Sequence, residues 1–186
     1  MHSWRACLLL LVLLSTGAAA DAARQVNPET GLSSWKRQEQ GFSLELVQVL
    51  PDYVRAVYAS RGLPQTIIDR VSSYCVFGTI LKNLSESGLS YNTADWRFVT
   101  PDGQTHRVRT KTEWISEWQD MGVAFRWSLL PEQQDYAPGD WGQGFTTIAL
   151  PPDTQFDLHY SWEQGGVRHT GIFREVRCAP ADIELP

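Results

Sequence analysis

Two histidines in one stretch, FDLHYSWEQGGVRHTGIF (residues 156–173), are the first residues whose type and spacing raise a chemistry. Neutral imidazole is the commonest protein ligand for a metal ion. His159 and His169 lie on the two arms of a hairpin signal around Gly165-Gly166, so the loop length decides whether they meet. A two-residue turn pairs Trp162 with His169, Leu158 with Phe173, Glu163 with Arg168 and Asp157 with Arg174, and the histidines then project to opposite faces. A three-residue loop shifts the second arm by one position. His169 is then opposite Ser161 and diagonal to His159 at roughly 7 Å, within reach of a common ion. That register also turns Val176 and Cys178 inward, and a bulge at Gly171 would reconcile the two halves. The opposed charges of the first register favour the two-residue turn.

His106 and Met121 are the other soft or borderline donors that remain once a leader is removed. Exported copper proteins use such ligands. A copper-binding protein or chaperone built on His159, His169, His106 or Met121 is therefore an alternative reading. No H-x-H or other fixed ligand spacing accompanies it, and histidines on strand surfaces account for the same residues more simply.

Arg107, Arg109 and Lys111 alternate with Val108 and Thr110, which makes one side of a strand basic in an acidic protein. A basic patch on an acidic background focuses field and suits an anion or an acidic partner. The plainer account is a charged edge strand that discourages sheet-to-sheet association. Trp141, within Pro138-Gly139-Asp140-Trp141-Gly142, is the tryptophan expected at the surface, in a loop of the kind that carries binding groups. Trp114 and Trp118 lie one helical turn apart and are expected to pack a short helix onto a sheet. There is no G-x-S-x-G, no H-E-x-x-H and no phosphate-cradling glycine loop. Asp135 and Asp140 flank the irregular segment and leave an acid–base hydrolase as the least favoured reading. No catalytic residue and no cofactor are expected, copper aside.

The elements that must position these groups follow from periodicity. FSLELVQVL (42–50) alternates like a strand, Pro51 and Pro64 open two helices reaching to about residue 75, and VFGTILKNL (76–84) is a buried strand. Residues 95–110 form a hairpin signal around Pro101-Asp102-Gly103, and KTEWISEWQDMG (111–122) a short helix. VAFRWSLL (123–130) has strand period with Val123, Phe125, Trp127 and Leu129 on one side; 131–144 is irregular, and FTTIAL (145–150) is a strand. About seven short strands with an early helical pair predict a mainly β protein. The expected form is an antiparallel β-sandwich, immunoglobulin-like or cupredoxin-like in architecture. A helical insertion is expected at about 52–75 and a short helix at about 111–121.

The N-terminus MHSWRACLLLLVLLSTGAAA has the charged start, short apolar run and small-residue site of a secretory signal, with cleavage after Ala20 or, as the alternative, Ala23. Residues 21–40 read as an extended lead-in, 41–180 as a single domain and 181–186 as a tail. With Cys7 removed, Cys75 and Cys178 remain, and an even count in an oxidising compartment predicts a disulfide. The formal charge of −5 disfavours nucleic acid, and no later segment is apolar enough for a membrane span. Asn83-Leu84-Ser85 is a glycosylation sequon. Together these point to a periplasmic or secreted non-enzymatic protein, a binding or accessory module for another exported protein or a small ligand.

Overall fold

Strand periodicity governs most of the chain. In the computed structural model, which describes residues 23–183, two antiparallel sheets face one another. The first has the order β1-β2-β3-β4-β10-β8. Its strands are β1 (Ala23–Val26), β2 (Ser33–Glu39), β3 (Phe42–Val49), β4 (Cys75–Asn83), β8 (Val108–Arg109) and β10 (Trp141–Ile148). The second is built on β11 (Gln155–Gln164). One edge of β11 pairs with β6 (Arg97–Val99) and then β5 (Leu89–Asn92); its other edge pairs with β12 (Val167–Arg177). β7 (Thr105–His106) extends β6, and β9 (Gln133–Tyr136) extends β5.

The alternation in β3 and β4 explains the layering, because neighbouring residues of a strand point to opposite faces. Phe42, Leu44, Leu46, Cys75, Phe77 and Leu81 meet Tyr91, Phe98, Phe156, Leu158, Tyr160 and Trp162 of the second sheet. Phe42 stacks on Trp162 with ring centroids 4.8 Å apart. Val76 turns the other way, toward the helices α1 (Pro51–Ala59), α2 (Gln65–Ser72) and α3 (Lys111–Asp120). The helices follow their sequence signals. Proline opens α1, and α3 starts on a capping box in which Thr110 and Glu113 satisfy each other's backbone N–H. Trp114 and Trp118 are fully buried, as their spacing predicted, and Trp114 Nε1 donates to Thr147 Oγ1 of β10 at 2.8 Å. The sandwich class is thus as expected, with helices as a third layer. Among the described residues no helix is long and apolar enough to cross a membrane.

The predicted disulfide is present: Cys75 and Cys178 are bonded across the two sheets, 103 residues apart in sequence. Closing a loop of that size stabilises the fold by up to about 4.7 kcal/mol in the chain-entropy description. The bond suits an oxidising compartment. The proposed signal peptide, residues 1–20, lies outside the described residues.

The hairpin adopts the two-residue turn, with Gly165 at φ 57° and Gly166 at φ 77°, the positive values a type I′ turn needs. Trp162 pairs with His169, Glu163 with Arg168 and Leu158 with Phe173. The bulge that reconciles the two registers is not at Gly171. It lies opposite Asp157, whose Oδ1 accepts from the Glu175 N–H at 2.8 Å while Oδ2 pairs with Arg174 at 3.2 Å. Glu175 takes a left-handed φ of 54°, and Phe156 then pairs with Val176. The charge pair is kept, and Val176 and Cys178 still turn inward. Gly171 has a different reason to be glycine: Tyr160 lies over it, where a Cβ would collide, and donates to Glu39 Oε1 at 2.8 Å.

Three expectations need correction. Residues 21–40 are not a lead-in from 23 onward, because β2 pairs along β3 and Trp35 is buried. Its period is masked because Arg37 and Glu39, alternating with Trp35 and partly buried, carry polarity on the inward face: Arg37 donates to the Ile172 carbonyl at 2.9 Å, and Glu39 receives Tyr160. Residues 123–130 are not a strand. Val123, Phe125 and Leu129 do pack on the helical layer, but Ser128 at φ 71° breaks the alternation and Trp127 is 77% exposed. Ser128 Oγ donates to Tyr58 Oη at 2.8 Å, and burial pushes that phenol up to about 12. Residues 131–144 contain β9 and the first half of β10. Gly142 and Gly144 read as turn formers, yet they are strand residues whose Cβ positions are taken by Tyr136 and by the Leu129–Leu130 backbone.

Asn83 ties strand ends together. Fully buried, it donates to the Ser87 and Tyr136 carbonyls at 2.8 and 3.1 Å and accepts from Ser85. The sequon nitrogen is therefore engaged inside the fold. Asn83→Ala leaves two carbonyls without their donor and should lower stability by about 2–3 kcal/mol in urea denaturation; a loss below about 0.5 kcal/mol would contradict this role.

Candidate functional site

The helical side of the first sheet carries a cleft of about 330 Å³ where the end of α2, β8 and the first turns of α3 converge. Local sequence places each wall. Arg107 and Arg109 are two apart and share a strand face. Arg70 lies in the last turn of α2 and Tyr74 just past its C-cap, while Glu113 and Glu117 are four apart on α3. The chain thus brings an R-x-R strand against an E-x-x-x-E helix.

Arg107 donates Nη2 and Nη1 to the two carboxylate oxygens of Glu113 at 2.7 and 3.0 Å, a bidentate pair at the solvent edge. Arg109 lies deeper. Its guanidinium is 3.9 Å from the Trp114 ring centroid, donates to Tyr74 Oη at 3.2 Å and is hydrogen-bonded to Glu117. Burial alone would pull the Arg109 pKa down, but the bonds to Glu117 and Tyr74 outweigh it and the net shift is upward. Arg70 approaches the same Glu117 with Nε at 3.6 Å and lies over the Tyr74 ring at 5.6 Å. Val108 and Ala149 complete the wall. Three guanidiniums are thus paired directly with two carboxylates, and Glu132 lies within Coulombic reach of Arg107, so the cleft gathers cations in a chain of net −5.

Of the residues singled out from sequence, Arg107 and Arg109 meet here, and β8 is indeed an edge strand. Lys111 begins α3 beside them and does not line the cleft; partial burial lowers its pKa. Arg70, Tyr74 and the two glutamates were missed, although their four-residue spacing was legible. Trp141 is 59% exposed, on β10 opposite Lys82 rather than in a loop.

The proposed metal donors are dispersed. His159 is exposed on β11, paired with Arg97 and Ile172. His169 projects from the other face of the sheet and stacks on Trp162, centroids 5.2 Å apart. His106 pairs with Phe98 on β6, and Met121 ends α3 on the helical side. Among the described residues no group of three or more His, Cys, Asp or Glu side chains is placed to hold a metal ion. Asp135 faces Ser90 in β9, while Asp140 accepts from the Ala137 N–H at 2.8 Å and so serves its own turn.

Two further hollows compete with the basic cleft. One of about 170 Å³, on the outer face of the second sheet, is closed on itself: Arg168 there binds Asp95 and Ser161 at 3.1 and 2.9 Å. A wider groove of about 740 Å³ beneath the β1–β2 turn is lined by Val26, Pro28, Leu32 and Val47 together with amides, hydroxyls and two glutamates, with no cationic side chain. Comparison with protein-family models, with curated proteins and with solved structures found no match to this chain.

Titration should reveal the outer ion pair. The Arg107 hydrogen bonds hold the Glu113 carboxyl below the usual glutamate range, against a smaller opposing push from burial and with further help from the Thr110 N–H. A carboxyl depressed on folding contributes stability above its unfolded value, about 4.3, and loses it as pH falls through the folded value. The melting-temperature gap between wild type and Arg107→Gln should therefore narrow from about pH 5 downward through that range. A gap that stays constant with pH would contradict the assignment.

Proposed function

We propose that this chain is a non-enzymatic binding or accessory protein of an exported compartment such as the periplasm. In this reading it engages a partner protein or small ligand through an anionic group seated in the Arg70–Tyr74–Arg107–Arg109 cleft. The observation that carries the reading is the clustering of three guanidiniums, directly paired with only two carboxylates, against an aromatic wall in an otherwise acidic molecule. Arginine suits the task because its planar fork matches carboxylate and phosphate oxygens and stacks on aromatic rings. The disulfide supports export, and the cleft's chemistry supports binding over turnover. Its cations are held by salt bridges and ring stacking, an arrangement for recognition, with no nucleophile–base pair among the lining residues.

The test is affinity capture from the native compartment with wild type and with the double variant Arg70→Gln/Arg107→Gln, both half-exposed positions outside the buried cores. A partner should be retained by wild type and lost from the variant. A partner held equally by both, or none held by wild type in repeated captures, overturns the reading.

A further inference from the structure

We infer that the cleft takes a carboxylate from an acidic peptide segment, and that Glu117 is a resident stand-in which the incoming carboxylate displaces. The inference rests on the cleft reading above and specifies its ligand. Glu117 is one carboxylate shared between two guanidiniums, Arg109 and Arg70, and its side chain is 30% exposed. The two arginines depend on it unequally. Arg109 is fixed independently, against the Trp114 ring at 3.9 Å and by its bond to Tyr74 Oη, so its donors stay in place when Glu117 swings out. Arg70 meets Glu117 at 3.6 Å through Nε, longer than a hydrogen bond. The cleft therefore already displays the geometry of carboxylate capture, with an occupant bonded to Arg109 and only distantly paired with Arg70.

Size and lining favour a peptide carboxylate over an inorganic anion. A volume of about 330 Å³ exceeds what a single tetrahedral oxyanion fills, and Val108, Ala149 and the Tyr74 ring offer apolar wall to methylene groups and backbone. Glu113 at the rim also penalises a dianion more than a monoanion, since like-charge repulsion scales with the ligand's charge. Arg107 stands at the same rim with its side chain 63% exposed, placed to meet a second acidic residue of the same segment.

Fluorescence anisotropy with a labelled hexaglutamate peptide tests this, with inorganic phosphate as competitor and the intact chain as receptor. Glu117→Gln removes the competing charge and should tighten peptide binding roughly threefold or more, the scale of one half-exposed ion pair. Arg70→Gln should weaken it by a similar factor. If Glu117→Gln does not fold, as judged by circular dichroism, Glu117→Asp withdraws the carboxylate by one methylene and should act in the same direction. Peptide binding that is no tighter in the Glu117 variant, or is indifferent to Arg70→Gln, overturns the inference. Phosphate binding that is lost in Arg107→Gln, with no binding of the peptide, overturns the carboxylate class and leaves the cleft reading standing. Wild type that binds neither probe removes both.

Discussion

Cys75 is the point on which the two halves of this molecule turn. It opens β4, the strand buried on both faces, and its bond to Cys178 ties the second sheet to the first. Because neighbouring residues alternate in direction, fixing Cys75 toward the sandwich core sends Val76 toward the helices, and Tyr74 closes α2 on that same side. The disulfide thereby anchors the cleft wall from behind. The bulge opposite Asp157 belongs to the same constraint. Without the extra residue at Arg174–Glu175, the register set by the Gly165-Gly166 turn would point Cys178 away from its partner.

The cleft draws on two kinds of energy, and they serve different ends. Arg109 is largely shielded from water, so the Trp114 ring, Tyr74 and Glu117 must together offset its desolvation. That makes it a fixed feature of the floor. Arg107 and Glu113 lie at the edge, where an exposed ion pair contributes about 0–1 kcal/mol and exchanges readily for another partner. A rigid cation beneath replaceable pairs suits a site that must bind and release.

The fold was legible wherever apolar alternation was unbroken. β3, β4 and the β11–β12 hairpin follow their sequence period, and α3 follows the spacing of its paired tryptophans. It was illegible where a local rule was overridden. Polar Arg37 and Glu39 hid β2 because they are partly buried against β12 and Tyr160, and Gly142 and Gly144 disguised a strand as a turn because other groups needed their space. Ser128 turned Trp127 to solvent through a backbone conformation that side-chain pattern does not encode. Of the site, the basic strand was visible. Its partners on α2 and α3 were not, because the contact between these elements is tertiary, although each pair carried its four-residue spacing. The histidines illustrate the converse, since one residue of turn length decided that His159 and His169 occupy opposite faces.

The most direct measurement is a nuclear magnetic resonance titration that follows the arginine Nε–Hε signals as an acidic peptide is added. The account predicts that the signals of Arg70 and Arg107 move progressively and saturate. The signals of Arg168 and Arg174, on the far hairpin, should stay where they are. Shifts confined to Arg168 and Arg174, or uniform small shifts across all arginines, would contradict it.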